Sequence, residues 1–482
     1  MNVASLSFFL FVVLVFAVYW GVGRSRVQNV VLLIGSYVFY AFWDYRFCVL
    51  LLATSLVDYA VGRGLGATNV SPRRKLLLAA SLFVDLGILG TFKYFDFFSQ
   101  SLARAMHLVG FQADFVTLNL LLPVGISFYT FKSLSYTIDV YRGRCDVTRS
   151  AIDYLTFVAF FPQLLAGPID RASAFLPQLR AERTFEYAAA TDAGRQILWG
   201  LFKKMAVADG LAVIVSDRFD HFARFQGPEL ALAAFLFTVQ IYCDFSAYSD
   251  ISIGVARLFG ISAMRNFAYP YFSQSVAEFW RRWHISLSTW FRDYVYIPLG
   301  GSRVGRGRHA ANLFATFLLS GLWHGAAMNF VFWGGLHGLG VMPTALRKGG
   351  KRLKATDTPG GEHPGVAAIG RILVTFVFVS FAWIFFRASS LHVAVSIIRR
   401  ILSPPVGSVA WMAPLHTLRA AGLLPYAVVA LFVIDWIQRR KPHGLDMPSV
   451  PRPARWIIYT TTMWITLLLM TPQTGQFLYF RF

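Results

Sequence analysis

Apolar runs long enough to enter a lipid bilayer recur along this chain, and they limit its fold more than any single motif does. Runs at residues 6–20, 27–43, 47–62 and 76–92 come first. Each is close to the length a helix needs to cross a hydrocarbon core of roughly 30 Å. Less regular runs follow at 115–138, 151–167, 194–216 and 229–258, then a long one from Ala310 to Met342, and others at 367–386, 420–437 and 455–472. Backbone amides inside a bilayer find no water, so runs of this length must close their hydrogen bonds as helices. The chain therefore reads as an all-α polytopic membrane protein, a single membrane domain over residues 1–482. Its spans and re-entrant pieces come to about 11–13 helices at the usual length per crossing.

Composition supports this reading. The chain is 56% hydrophobic and only 14% charged, where a soluble domain carries about a quarter of its residues charged. A net charge of +21 raises nucleic acid as a partner. The Lys and Arg residues, however, stand in short clusters between apolar runs, the pattern of cytoplasmic loops rather than of one basic face. No nucleic-acid partner is expected; the bilayer is. Arg24 and Arg26 mark the first loop as cytoplasmic, and Arg63 with Arg73-Arg74-Lys75 marks the third, which puts the N-terminus outside. No small-residue cleavage site follows Trp20, so the first run reads as a retained span. Residues 347–365, basic and then rich in Thr, Pro and Gly, read as a soluble cytoplasmic loop, and 389–402 as a helix lying along the interface. Cys48, Cys145 and Cys243 offer neither a disulfide framework nor a zinc spacing.

The middle of the chain, a core of about 115–345, is where the apolar pattern is interrupted. Pro123-Val124-Gly125 and Ala166-Gly167-Pro168 break helices at membrane depth, which is tolerated only beside protein or a wet cavity. Asp244 and Asp250 sit inside an apolar run and must cap a helix end, pair with an arginine, or face the interior. If Ser275 to Trp290 is one helix, Trp280, His284 and Ser288 share a face with Arg281 close by. Arg281 and Arg282 either line a cavity or anchor the chain at the cytoplasmic surface.

Between Ala310 and Met342 no Asp, Glu, Lys or Arg occurs, and six glycines punctuate the run. Two spans turning near Met328-Asn329 are the natural reading, with His324 at the end of the first. A buried neutral imidazole can accept a hydroxyl proton near neutral pH, and it can equally be a satisfied core residue. A metal site is not expected. His324 and His337 are thirteen residues apart and would point to opposite sides of one helix, with no Cys or carboxylate nearby to complete a shell.

Taken together, Glu278-Phe279-Trp280-Arg281-Arg282-Trp283-His284-Ile285-Ser286, Trp290-Phe291-Arg292-Asp293-Tyr294, Tyr296-Ile297-Pro298-Leu299-Gly300-Gly301 and Leu319-Ser320-Gly321-Leu322-Trp323-His324-Gly325 resemble the membrane-bound O-acyltransferases. Leu165-Ala166-Gly167-Pro168, Asp244-Phe245-Ser246-Ala247-Tyr248-Ser249-Asp250, Trp333-Gly334-Gly335-Leu336-His337 and Phe385-Phe386-Arg387 follow in the same order. The pattern is most similar to the bacterial alginate O-acetyltransferase group, and less so to the peptidoglycan O-acetyltransferases and the D-alanyl transfer proteins. The resemblance implies helices around a central channel, with an acyl donor entering from the cytoplasm. The donor would be acetyl-CoA or an acyl carrier thioester, with no bound cofactor. It further implies a polysaccharide acceptor, a periplasmic or membrane-anchored transfer partner, and residence in a bacterial inner membrane.

By the same resemblance His324 is the essential histidine and His284 the second one, while Trp323, Trp283, Arg281 and Asp293 line the chamber. Ser288 lies on the same stretch, and Asn329, His284 or backbone amides are candidates to stabilise an oxyanion. Direct attack by the hydroxyl and a two-step route through an acylated histidine both remain open. A channel or flippase with gating histidines is the rival from another class. It requires paired charges along several spans and repeat symmetry, neither of which the sequence displays. A structural subunit without catalysis is disfavoured by the presence of both histidines.

Overall fold

A computed structural model describes residues 2–111, 116–346, 364–405 and 409–471, with single positions at 359, 361, 407 and 477. Among the described residues all regular structure is helical. Most of the stretch read as a basic loop, 347–365, lies outside them. The helices are, in order, α1 (Leu6–Gly21), α2 (Ser25–Asp44), α3 (Arg46–Ala67), α4 (Ser71–Leu89), α5 (Phe95–Leu108), α6 (Ile126–Tyr141), α7 (Ala151–Ala159), α8 (Ala172–Arg180), α9 (Tyr187–Leu201) and α10 (Asp209–Asp220). They continue as α11 (Gly227–Leu258), α12 (Val276–Arg282), α13 (Ile285–Phe291), α14 (Arg306–His324), α15 (Met328–Ala345), α16 (Val366–Arg387), α17 (Leu391–Leu402), α18 (Val409–Ala420), α19 (Leu424–Ile437) and α20 (Arg452–Leu469).

Among the described residues, four helical stretches are long and apolar enough to cross a membrane: Arg46–Ala67, Ser71–Leu108, Gly227–Leu258 and Val366–Arg387. The pair Ala410–Ala420 and Leu424–Ile437 also qualifies if counted as one span, bent by 83°. By length and composition the described residues thus offer 4 crossings, or up to 5 with the bent pair, where the sequence led to an expectation of about 11–13 spans and re-entrant pieces. The segment at 389–402 forms α17, capped by Ser390, whose Oγ accepts from Val393 N at 3.2 Å.

Backbone contacts group the chain into two compact units, Val3–Ala190 with Val255–Met264, and Thr191–Gly254 with Arg265–Phe482. In the first, Gly125 takes a left-handed φ of +81° at the start of α6, and a Cβ there would meet the Leu164 carbonyl oxygen at 2.6 Å. The Pro-Val-Gly break is thus fixed by close backbone approach. Lys132, fully buried, donates to Gln163 Oε1 at 2.7 Å, and Gln163 Nε2 passes the bond on to Asp170 Oδ2 at 2.6 Å.

The second unit contains buried ion pairs that the sequence does not reveal. Between α9 and α10 the chain winds more widely, as a π-helix over Phe202–Ala208. Adjacent lysines on a regular helix diverge by about 100°, whereas here both reach α11. Lys203 Nζ lies 2.6 Å from Asp250 and 2.7 Å from Ser246 Oγ, while Lys204 Nζ lies 2.8 Å from both Asp244 and Asp209. The partners of Asp244 and Asp250 are therefore lysines, not an arginine. Paired charges do run along these helices; they were not legible in the sequence because 47 and 40 residues separate Lys203 from Asp250 and Lys204 from Asp244.

In the same unit α14 and α15 form a hairpin packed through glycine. Added Cβ atoms at Gly321 and Gly334 would sit 2.2 Å from the Phe330 carbonyl oxygen and 2.3 Å from that of Phe317. Only hydrogen fits at that crossing, which is why the glycines recur along this apolar stretch. The turn falls at Gly325–Ala327, close to the expected position.

Candidate active site

The stretch from Ser275 to Trp290 is not one helix. It begins as α12, with Ser275 Oγ accepting from Glu278 N at 3.2 Å and Glu278 Oε2 accepting from Gln274 N at 2.9 Å. This pattern is close to a capping box. The helix stops after Arg282, and His284 adopts φ +44°, ψ 54° before α13 starts. The left-handed region is strained for a residue with a Cβ. The expected face of Trp280, His284 and Ser288 consequently does not exist. Ser288 Oγ donates to the Trp283 carbonyl at 3.2 Å, so its hydroxyl spans the break.

The break delivers His284 into the unit's interior, where it is fully buried. Its ring packs edge-on to Phe245 of α11 (centroids 4.7 Å apart) and to Trp323 (6.0 Å). His324 ends α14, 4% exposed, with its ring centroid 6.4 Å from that of His284. Trp323, Trp333 and Phe386 surround it at 5.0, 5.0 and 5.5 Å. Two imidazoles thus face each other in a cage of aromatic rings. Sequence spacing could not show this, because the two stand forty positions apart, with α13, the turn after it and all of α14 in between.

The other expected residues fare differently. Trp283 is buried and packs on Phe267, Phe279 and Trp383. Arg282 is not a surface anchor: only 1% exposed, it donates from Nε to Glu278 Oε1 at 3.0 Å. Arg281 is half-buried on the last turn of α12. Asp293, on the π-wound turn Arg292–Tyr296, accepts from Arg292 Nε at 2.8 Å. Asn329 is buried, but its Nδ2 donates to the carbonyls of Phe385 (3.2 Å) and Ala388 (2.9 Å) and ties the start of α15 to the end of α16. Its amide protons are committed to backbone carbonyls, the geometry of a brace between the two helices.

In the sequence, Trp333 and His337 stand within a motif that carries the resemblance, and neither was assigned a place in the chamber. Trp280 Nε1 donates to His337 Nδ1 at 3.1 Å, and Trp333 stands between His337 and His324, 4.9 and 5.0 Å from their ring centroids. The recurrence of Trp333 and His337 four residues apart was the available signal.

The chain is thus helical, with stretches apolar enough to cross a membrane, and two of its histidines lie edge-on to each other in a buried aromatic cage. Residues 146–381, a range that includes both histidines, match the model of the MBOAT, membrane-bound O-acyltransferase family. The chain is 43% identical over 393 residues to the "Probable alginate O-acetylase AlgI" of Pseudomonas putida, covering 80% of this chain and 77% of that protein. It is 41% identical over 404 residues to the protein of the same name from Pseudomonas aeruginosa, covering 81% and 73%. With the peptidoglycan O-acetyltransferase of Helicobacter pylori it shares 33% identity over 396 residues, covering 76% and 72%. The chain belongs to the membrane-bound O-acyltransferase family and is an O-acyltransferase. Its buried ion pairs are thus compatible with an enzyme, and the channel or flippase reading falls.

Proposed function

We propose that this protein transfers acetyl groups from a cytoplasmic thioester towards hydroxyls of an exported polysaccharide, alginate or one like it, in a bacterial inner membrane. The facing pair of His324 and His284 carries the reading, and the names of the relatives supply the acetyl group and the class of acceptor. His324 accepts the proton of the attacking hydroxyl, whose oxygen bonds to the thioester carbonyl carbon. The carbonyl becomes an oxyanion, towards which His284 presents an N–H. Stabilisation of this kind is commonly worth about 3 kcal/mol. As the oxyanion collapses, the carbon–sulfur bond breaks, and the departing thiolate takes the proton that His324 held. The cage of Trp323, Trp333 and Phe386 keeps water, the competing nucleophile, away from the thioester.

The basic clusters on the cytoplasmic side would draw in an anionic donor, either acetyl-CoA or an acylated carrier protein. An acceptor-side partner, periplasmic or membrane-anchored, completes the route to the polymer. The test is to reconstitute the purified protein in nanodiscs, supply labelled acetyl-CoA or acetylated carrier protein, and follow label into alginate with and without a periplasmic extract. Label in alkali-labile ester on the polymer supports the proposal. Transfer only of D-alanyl groups would contradict it.

A further inference from the structure

Helix α13 begins on a histidine, and a histidine at that position usually has to choose between capping the helix and doing anything else. The first backbone amides of a helix need acceptors from outside it. His284 supplies none from its side chain. The acceptors come instead from a separate segment, Arg265–Ala268. The Asn266 carbonyl oxygen accepts from Ile285 N at 2.9 Å, and Asn266 Oδ1 accepts from Ser286 N at 3.2 Å and from Ser286 Oγ at 3.0 Å. On the other side of the break, Ala268 N donates to the Arg282 carbonyl at 2.9 Å. Asn266 Nδ2 donates to Ser249 Oγ of α11 at 3.3 Å, which fixes the amide plane. Asn266 and Ser286 are fully buried and Ser249 nearly so.

We propose that Asn266 is a positioning residue: it caps α13 from outside and thereby holds His284 in its left-handed conformation, with the imidazole turned towards His324. Backbone bonds bracket His284 at residues 282 and 285, and the Asn266 side chain locks the next residue, 286. Without that lock the strained residue relaxes and the ring leaves its place between Phe245 and Trp323. The inference rests on the reading that His284 takes part in transfer, and it is tested so that the two can fail separately.

The first measurement needs no turnover. Diethyl pyrocarbonate acylates unprotonated imidazole, and peptide mass spectrometry reads its rate at each histidine. In Asn266→Ala the rate at His284 rises about tenfold or more while that at the equally buried His337 stays as in the wild type, as expected of a local opening. An unchanged rate at His284, or an equal rise at both, overturns the proposal. The second is a double-mutant cycle on transfer. Asn266→Ala lowers kcat roughly thirtyfold with donor KM within about threefold, and adding it to His284→Ala costs nothing further, because both changes remove one function. Ser249→Ala, which loses only the bond to Nδ2, falls by less than about threefold. If Asn266→Ala lowers activity by the same factor with or without His284, the residue is merely structural and the proposal fails. A wild type inactive with every donor would sink the proposed function, and the modification rates would still decide the role of Asn266.

Discussion

Left-handed His284 stores strain of order 1–3 kcal/mol that its surroundings must hold, and at this scale each side chain near the histidines has a separable role. Asn329 gives the clearest contrast. As a brace donating to the Phe385 and Ala388 carbonyls, its removal strands two buried acceptors. Asn329→Ala is therefore expected to lower stability by about 1–3 kcal/mol, read as a fall in melting temperature, while the properly folded fraction keeps most of its kcat. An oxyanion donor would behave in the opposite way, losing roughly a hundredfold or more in kcat with the melting temperature unchanged. His324 stood out at the end of an uncharged run, but a buried histidine there can equally be a core residue, and its proposed role came from the resemblance. The role proposed for His284 likewise came from resemblance. No Gly or Pro between Ser275 and Phe291 announces a helix break, and the cause lies in Asn266, outside the stretch itself.

Among the elements, the α14–α15 hairpin and the π-wound segment before α10 carry the strongest constraints. Gly334→Ala forces a methyl against the Phe317 carbonyl and the Gly321 Cα, two pieces of backbone that cannot rotate away. Overpacking of this kind costs about 1–3 kcal/mol, and thermal unfolding in detergent should show it. Gly87→Ala, on α4 with nothing within 4 Å of the added methyl, should be neutral or slightly stabilising. Lys204→Met leaves Asp209 and Asp244 buried without their shared cation. Breaking a buried pair in this way typically costs about 3–5 kcal/mol, so a drop in melting temperature larger than that of Gly334→Ala is expected. The hairpin could be read from the chain because its glycines and its turn are local. The lysine pairs could not, since periodicity says nothing about partners that meet only when α11 packs on the π-wound segment.

For the molecule as a whole, the charge bias of the loops predicts an orientation that can be checked directly. In a background with Cys48, Cys145 and Cys243 replaced, Tyr45→Cys should react with a membrane-impermeant maleimide in intact spheroplasts, and Arg73→Cys only after lysis. The opposite pattern would invert the route proposed for the donor. The central claim is that a proton held by His324 passes from acceptor hydroxyl to thiolate, and the most direct measurement is donor turnover by wild-type protein and by His324→Ala in the same nanodiscs. With matched melting temperatures, a loss of about a thousandfold or more in kcat at little changed donor KM is predicted, as for removal of a general base acting in the transition state. A folded His324→Ala variant that turns over the donor at the wild-type rate would contradict it.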